Sequence, residues 1–521
     1  MAPADVDPAA GSDYARLSYT PTPEAAKTRP GQYYWSQLYR YHFGIRQLKE
    51  RTDILRRYLP HAGIGANFSP HGDHMYLGTT HQWITVFREG GMTMPWGEDY
   101  IFQVPVGSPQ MNALVLDMFR AGLRHQPGAR IHYYVMAHAP NNTPHGWRRQ
   151  FYLDLAHGVR VFNLFEFRPV QAAYTENHVD EPAMYQEVRT SLHELGRFED
   201  IVQEGRVLPA QAALWFSEAG DVWDNNRPPR DAAKRCLYIA LRQQQLPLDF
   251  VVEGDDLKAY RVLYLADANV SRAASRAIAD WVRGGGRLFA TAGAGLFDEF
   301  NQPNRTLREL LGIEPLGLEE APGPPVRLEK QDLPYAAPLD LVLYQSEKIP
   351  VFGLRSRVKA GTAEVMATFS DRSPAVTMNR VGQGTATYCA FLPGLSYFQP
   401  ALPRRPMDRG ATDDSMAHFL PTEFSAAAGG LVGMPAADLV RPVSCSSALV
   451  ESTVLKAGRR MVIPLINWSP TPVKGLTITV RVEAPGAGAA LASGRPVRVE
   501  RQDGAWVFTL DLDVADALIL R

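Results

Sequence analysis

Between Gln32 and Gly205, apolar runs of strand length alternate with helical stretches, and that alternation limits the region to a parallel sheet buried between helices. The strand-like runs are GIGANF (63–68), WITVF (83–87), RIHYYVM (130–136) and VRVFNLFEF (159–167), each followed by a polar loop rich in Gly and Pro. Apolar residues at helical spacing mark 111–125, 147–158 and 183–205, and one long amphipathic helix is predicted from Gln32 to Tyr58, ending at Pro60. Residues 1–30, polar and rich in Pro and Ala, read as a disordered leader.

A second alternating region follows Val207. It runs QAALWFS (211–217), a helix at 231–244, LDFVVE (248–253), RVLYLA (261–266), a helix at 271–285, and GRLFATAGAG (286–295). Short strands with crossover helices predict a doubly wound, flavodoxin-like three-layer domain. Strand-like pieces continue at 362–369 and 374–391, the latter around a Gly-Gln-Gly turn. From Val440 to Arg521 the helical period disappears, and short alternating strands between Gly/Pro turns predict a small antiparallel β-sandwich. The expected units are therefore 31–206, 207–435 and 440–521, in keeping with the roughly three domains that 521 residues predict.

Charge and composition exclude several classes. The 54 Lys and Arg nearly cancel the 55 Asp and Glu, and no segment interleaves basic residues with aromatics, so nucleic acid is not an expected partner. No run reaches the ~18 apolar residues of a membrane span, and the first 29 residues lack the apolar core of a secretory signal, so a cytoplasmic protein without membrane association is expected. Cys236, Cys389 and Cys445 are an odd number at spacings of no metal motif, which predicts buried thiols. All the histidines but His418 lie at or before His193, which directs the search for chemistry to the first 200 residues.

The order of parts resembles glycoside hydrolase family 42, the β-galactosidases with a trimerisation domain. The resemblance is carried most specifically by RVLYLADANVSRAASRAIADWVRGGGRLFATAGAGLFDEF (261–300) and PAVTMNRVGQGTATYCAFLPG (374–394), and loosely elsewhere. It implies a (β/α)8 TIM-type barrel, then a glutamine amidotransferase-like trimerisation domain, then a small β domain. A complete barrel takes about 250 residues and eight strands, whereas residues 31–205 supply four strand candidates, so the expected barrel is partial, its C-terminal half. The resemblance aligns GIGANFSPH with the fifth barrel strand, WITVF to WGEDY with the sixth, IHYYVMAH with the seventh and VFNLFEF with the eighth. It implies a saccharide substrate, a homotrimer formed through the middle domain, and no cofactor.

In the family, the acid/base is the Glu of an Asn-Glu pair and the nucleophile is the Glu of a Met-Glu pair. This chain has no Asn-Glu pair, and Met136-Ala137 stands where the Met-Glu pair would be. Retaining hydrolysis needs one carboxylic acid to protonate the leaving oxygen and a second carboxylate to attack. Candidates must then come from other loops past the strands. Glu98 and Asp99 follow Trp96, an aromatic beside paired carboxylates that suits a sugar ring and its hydroxyls, although a Glu-Asp pair also suits a helix start. Glu166 and Arg168 flank Phe167 and would share one face of a strand, as a site carboxylate with a binding cation or as an internal ion pair. His71, Asp73 and His74 fit substrate hydrogen bonding, a metal, or a structural loop, and His138 adjoins the position of the lost nucleophile. Trp83, Phe87, Trp147 and Phe165 fit a core better than sugar platforms.

The expected catalytic carboxyls are Glu98, Asp99 and Glu166, with His71, Asp73, His74, Trp96, His138 and Arg168 binding substrate and no metal. TAGAG (291–295) lacks the G-x-G-x-x-G register of dinucleotide sites, and no Cys sits at a strand-to-helix elbow for amidotransferase chemistry. The function expected is a carbohydrate-active hydrolase resembling β-galactosidase. The alternatives are a non-catalytic carbohydrate-binding or assembly protein, or a C-terminal fragment of a longer glycosidase.

Overall fold

Four parallel strands lie side by side in chain order: β1 (Asn67–Phe68), β2 (Trp96–Glu98), β3 (Ile131–Val135) and β4 (Val159–Leu164). Parallel neighbours need a crossover, and helices Thr80–Arg88, Asn112–Gly122 and Pro144–Ala156 supply one between each pair. The computed structural model describes residues 2–68, 80–99, 109–126, 128–138, 142–165, 167–168, 179–223, 229–321, 337–401, 412–415, 418–483 and 488–521.

Two expectations fail in this region. WITVF is not a strand; it lies inside the helix Thr80–Arg88. Its β-branched residues favour a strand locally, but Ile84 and Phe87, three apart, are wholly buried, and Gly90 at φ +76° follows the last turn. Residues 2–29 are not a disordered leader either: helices Pro3–Val6 and Pro23–Thr28 fold back on the long helix Pro30–Tyr58. Gln32 Nε2 donates to Asp7 Oδ2 at 2.6 Å, and Thr20 N donates to Ser36 Oγ at 2.9 Å. Polar composition suggested disorder, but these side chains satisfy one another across the fold-back.

The middle region holds five parallel strands, Ala212–Trp215, Leu248–Val251, Val262–Leu265, Arg287–Ala290 and Gly384–Cys389. Counted in chain order, they lie 2-1-3-4-5 across the sheet, the flavodoxin-like order. Four antiparallel strands, Pro374–Val381, Glu364–Phe369, Asp340–Tyr344 and Glu347–Val351, extend the sheet beyond the fifth. At the other margin, Leu248–Val251 would expose an unpaired edge. Arg120 and Arg124, from the end of helix Asn112–Gly122 and just past it, donate to Leu248 O at 3.0 Å and Phe250 O at 2.7 Å, so guanidiniums take the place of a further strand.

After Val443 the chain forms two antiparallel sheets whose facing residues, among them Met461, Ile463, Ile478 and Phe508, make one separate core. All three cysteines are free; Cys236 and Cys389 are buried, whereas Cys445 is only partly covered. Among the described residues no helix is long and apolar enough to cross a membrane.

The three regions meet at one buried cluster of charge. Glu451, on strand Val450–Ser452, accepts from His157 Nε2 and Arg242 Nε through one oxygen, both at 3.1 Å, and from Gln110 and Trp468 through the other, both at 2.9 Å. Asp117 accepts from His157 Nδ1 and from Tyr238, both at 2.8 Å, and pairs with Arg120 at 3.0 Å. Burial pushes the Glu451 carboxyl up, but Arg242 and His157 outweigh it and hold the group down at about 2.

Removing one partner of such a cluster leaves the others charged and unpaired. Glu451→Ala should therefore destabilise the fold by about 3–5 kcal/mol in urea titrations. Because the folded carboxyl titrates below its ordinary 4.5, the stabilisation is complete above that pH and disappears as the pH falls through about 2. An acid-unfolding profile unchanged by the substitution would contradict this role.

Candidate active site at the carboxyl end of the parallel sheet

Register divides the four strands into two faces. Phe68, Tyr133 and Phe162 point at the crossover helices, where Phe68 meets Trp83, Phe87 and Phe119, and Phe162 meets Phe151. Asn67, Trp96, Glu98, His132, Tyr134 and Asn163 carry the opposite face. Asn67 and Asn163 are exposed, while Trp96, His132 and Tyr134 are partly covered. Trp96 stacks on His132 with ring centres 5.3 Å apart, and Tyr134 meets the Trp96 ring edge-on.

Glu98 ends β2 on this second face. It is only 6% exposed, and its Oε2 accepts from Asn67 Nδ2 at 3.1 Å. The hydrogen bond fixes one carboxylate oxygen from the neighbouring strand, as a group that must present a proton or a negative charge in one direction requires. The Glu98 carbonyl accepts from the Tyr133 hydroxyl at 2.9 Å, which anchors the strand end to its neighbour.

Asp99, the next residue, is wholly buried. Its Oδ1 accepts from Met136 N at 3.0 Å, and its Oδ2 has no hydrogen-bond partner among the described residues. Burial, reinforced by the Glu98 charge, pushes this carboxyl well above the usual range against the pull of the Met136 N–H. Behind it lies a second enclosed acid, Asp154, likewise raised well above the usual range by burial and then by Asp99. Asn112 Nδ2 donates to Asp154 Oδ1 at 3.0 Å and to Gln150 Oε1 at 3.1 Å, and Asn112 Oδ1 accepts from Tyr133. These groups form a buried support for β2 and β3.

Past β3, Met136, Ala137 and His138 are all wholly buried. Asn142 Nδ2 donates to Met136 O and Asn142 N donates to His138 O, both at 2.6 Å, which ties Asn142 to the end of β3. The His138 ring lies 6.0 Å from that of Phe165. Helix Pro144–Ala156 begins two residues after Asn142, with Thr143 Oγ1 accepting from Gly146 N at 2.9 Å.

β4 closes at Leu164, so Arg168 lies past the strand. Phe167 turns outward against Tyr185, with ring centres 4.9 Å apart, and Arg168 O accepts from Val179 N at 2.7 Å. His71, Asp73, His74 and Glu166 lie outside the described residues. The sheet thus brings Trp96, Glu98, Asp99 and His138 to one end. Sequence reasoning missed Asn67, Tyr133, Asn112 and Asp154; strand alternation gives the face of Asn67 and Tyr133, but nothing local pairs Asn112 with Asp154. Phe87 and Trp147 are core residues, while Trp83 and Phe165 are partly covered.

Replacing Asp99 tests its protonation. A carboxyl raised by folding stabilises most at low pH and loses that contribution as the pH rises from its ordinary 3.8 through the folded value. Asp99→Asn keeps an acceptor for Met136 N without titrating. It should flatten the decline of stability above pH 4 in guanidinium titrations, whereas Asp99→Leu, which also removes the acceptor for Met136 N, should cost about 1–3 kcal/mol at pH 4 and less as the pH rises.

Residues 223–404 match the family model described as the β-galactosidase trimerisation domain. The whole chain superposes on solved β-galactosidases. Gan42B, a GH42 β-galactosidase from G. stearothermophilus, has a TM-score of 0.68 at 15% identity, covering 98% of this chain and 70% of that one. The cold-adapted β-galactosidase from Rahnella sp. R3 gives 0.66 at 18% identity over 98% and 70%, and that from Bacillus circulans sp. alkalophilus 0.66 at 15% over 95% and 67%. No curated protein sequence matches the chain. By overall fold, and by the sequence of its middle segment, the chain resembles the glycoside hydrolase family 42 β-galactosidases.

Proposed function

We propose that the protein is a carbohydrate-active hydrolase of the β-galactosidase type, acting on O-glycosidic bonds at the carboxyl end of the four-stranded sheet. The observation that carries this reading is Glu98, a carboxylate oriented by Asn67 at the sheet end where barrel enzymes hold their catalytic groups, in a chain with the GH42 fold. Glu98 and Glu166 are the two carboxyls assigned to acid/base and attacking roles. Asp99, enclosed and shifted toward its neutral form, fits a positioning residue for Met136 better than a group that meets the sugar.

Trp96 and His132 offer stacked rings beside Glu98, and the apolar face of a pyranose fits such a surface. Arg168, with His71, Asp73 and His74, would complete the sugar subsites, and the wholly buried His138 would support them from within. We assign residues 31–206 to the C-terminal half of a (β/α)8 barrel, 207–435 to a trimerisation domain through which three copies assemble, and 440–521 to a β-sandwich. This reading requires no cofactor.

A specific observation favours the second reading, a carbohydrate-binding or assembly protein without turnover. Ala137 stands where the resemblance aligns the family nucleophile, and its wholly buried methyl group has no nucleophilic chemistry. Glu98→Gln and Glu166→Gln should each lower aryl-galactoside hydrolysis by about 10²–10⁴-fold. Unchanged turnover in both variants would sink the hydrolase assignment. Saturable galactose binding by calorimetry, with no hydrolysis of any glycoside by the pure protein, would establish the second reading in its place.

A further inference from the structure

At the opposite, amino end of the parallel sheet, a cleft of about 380 Å³ opens between the barrel-like region, the edge strand Leu248–Val251 and the C-terminal sheet. Its carboxylates, Asp117 and Asp249, are already engaged: Asp117 by Arg120 and His157, and Asp249 by Arg120 at 3.3 Å and by Tyr260. Arg160, the second residue of β4, and Arg206, on the short strand Arg206–Val207, line the same cleft without an ion pair among the described residues.

Two features show that this positive charge is not balanced among the described residues. Arg206 stands directly opposite Lys456 in the antiparallel pair that joins Arg206–Val207 to Leu455–Ala457, and like charges in that position repel. Burial, then Arg206 and Arg130, draw the Arg160 guanidinium below its ordinary range, a reversal of what a paired arginine shows. None of Arg130, Arg160, Arg206 and Lys456 meets a carboxylate among the described residues. Asp200 and Glu204, on helix Glu199–Glu204, are taken up by Arg460, and Asp200 by Arg521 as well.

The Arg160 side chain is nevertheless held in place, because its Nη2 donates to Gly205 O. A fixed guanidinium fork with unused N–H groups, a second arginine beside it and a lysine across the strand pair form a receptor for a compact, multiply charged oxyanion. We propose that this cleft binds the phosphate group of a small molecule, or free phosphate, with Arg160 and Arg206 as its principal ligands and Arg130 and Lys456 adding charge. The site lies at the end of the strands away from Glu98 and does not depend on the hydrolase assignment.

The test is thermal unfolding and calorimetric titration of the full chain with sodium phosphate and with a hexose 6-phosphate, against chloride at matched ionic strength. Both phosphates should raise the unfolding midpoint saturably. Arg206→Gln and Lys456→Gln should each weaken binding by about ten-fold, and the double variant should abolish it. In phosphate-free buffer the same two substitutions should raise the midpoint, because each removes one member of a repelling pair. That opposite sign separates loss of a ligand from loss of fold, as Arg160→Met, which also loses the bond to Gly205, would not. Tighter binding of the hexose phosphate than of phosphate would identify a phosphorylated sugar as the source of the group, and equal binding would identify free phosphate. A midpoint that follows ionic strength alone, equal stabilisation of the double variant, or equal binding of the unphosphorylated hexose would overturn the proposal.

Discussion

The fold is tied together by a carboxylate that no single region of the chain can satisfy. Glu451 belongs to the C-terminal sheets, Arg242 to the last turn of helix Arg230–Gln243 in the middle region, and His157 to the turn after helix Pro144–Ala156. Each is buried, and each would be a costly isolated charge if its own region folded alone. Asp117 and Arg120 extend the cluster to the edge of the middle sheet. Counting Asp249, three carboxylates face two guanidiniums and one imidazolium. Burial opposes the charge on His157, but Asp117 and Glu451, one at each ring nitrogen, hold its pKa up. The regions are therefore fixed relative to one another by an arrangement that is neutral only when all are docked.

A second junction, remote in sequence, repeats the principle with exposed and buried parts. His42 on the long helix Pro30–Tyr58 lies 2.8 Å from Glu218 and 3.4 Å from Glu89, and these carboxylates raise its pKa to about 10. Deeper, His81 lies 3.2 Å from Glu253, and its backbone N donates to Asp221 at 2.7 Å. Arg88 and Arg124 both reach Asp255, at 2.7 and 3.4 Å. These pairs join the helices around β1 and β2 to helix Glu218–Trp223 and to the loop after Leu248–Val251 in the middle region. The strands carrying Asn67 and Glu98 are therefore braced from outside as well as from within.

What was legible in the sequence follows from the range of the interactions involved. The strands of the middle sheet and the helices between them appear close to where apolar runs and helical spacing put them, because burial of VLYL or RLFA on both faces is written in the residues themselves. WITVF misled because its β-branched residues speak for a strand, while the contacts that make it a helix, Phe87 against Phe68 and Phe119, come from residues 19 and 32 positions away. The fold-back of residues 2–29 was illegible for the same reason: Asp7 with Gln32 and Thr20 with Ser36 are pairings between polar side chains with no periodic signature. The site shows both cases. Glu98 stood out as a carboxylate beside Trp96, but its partner Asn67 lies 31 residues earlier, and the buried pairing of Asn112 with Asp154 spans 42.

The two acids after Trp96 show how neighbours in sequence acquire opposite chemistry. Alternation sends Glu98 to the face that bears Asn67, Trp96 and Tyr134, and Asp99 into the layer of crossover helices beside Asp154. Burial drives both toward the neutral form, reinforced by the Glu98 charge at Asp99 and by the Asp99 charge at Asp154. Asp99 then acts as a hydrogen-bonding brace on Met136, next to Ala137 and His138, and it leaves Glu98 as the carboxylate that β2 contributes on the open face. Retaining hydrolysis requires a second carboxylate about 5 Å from the first. With Asp99 turned away and an alanine at 137, Glu98 is the one carboxylate that β2 and β3 carry on the open face, so on the proposed hydrolase reading the second carboxylate comes from outside these two strands.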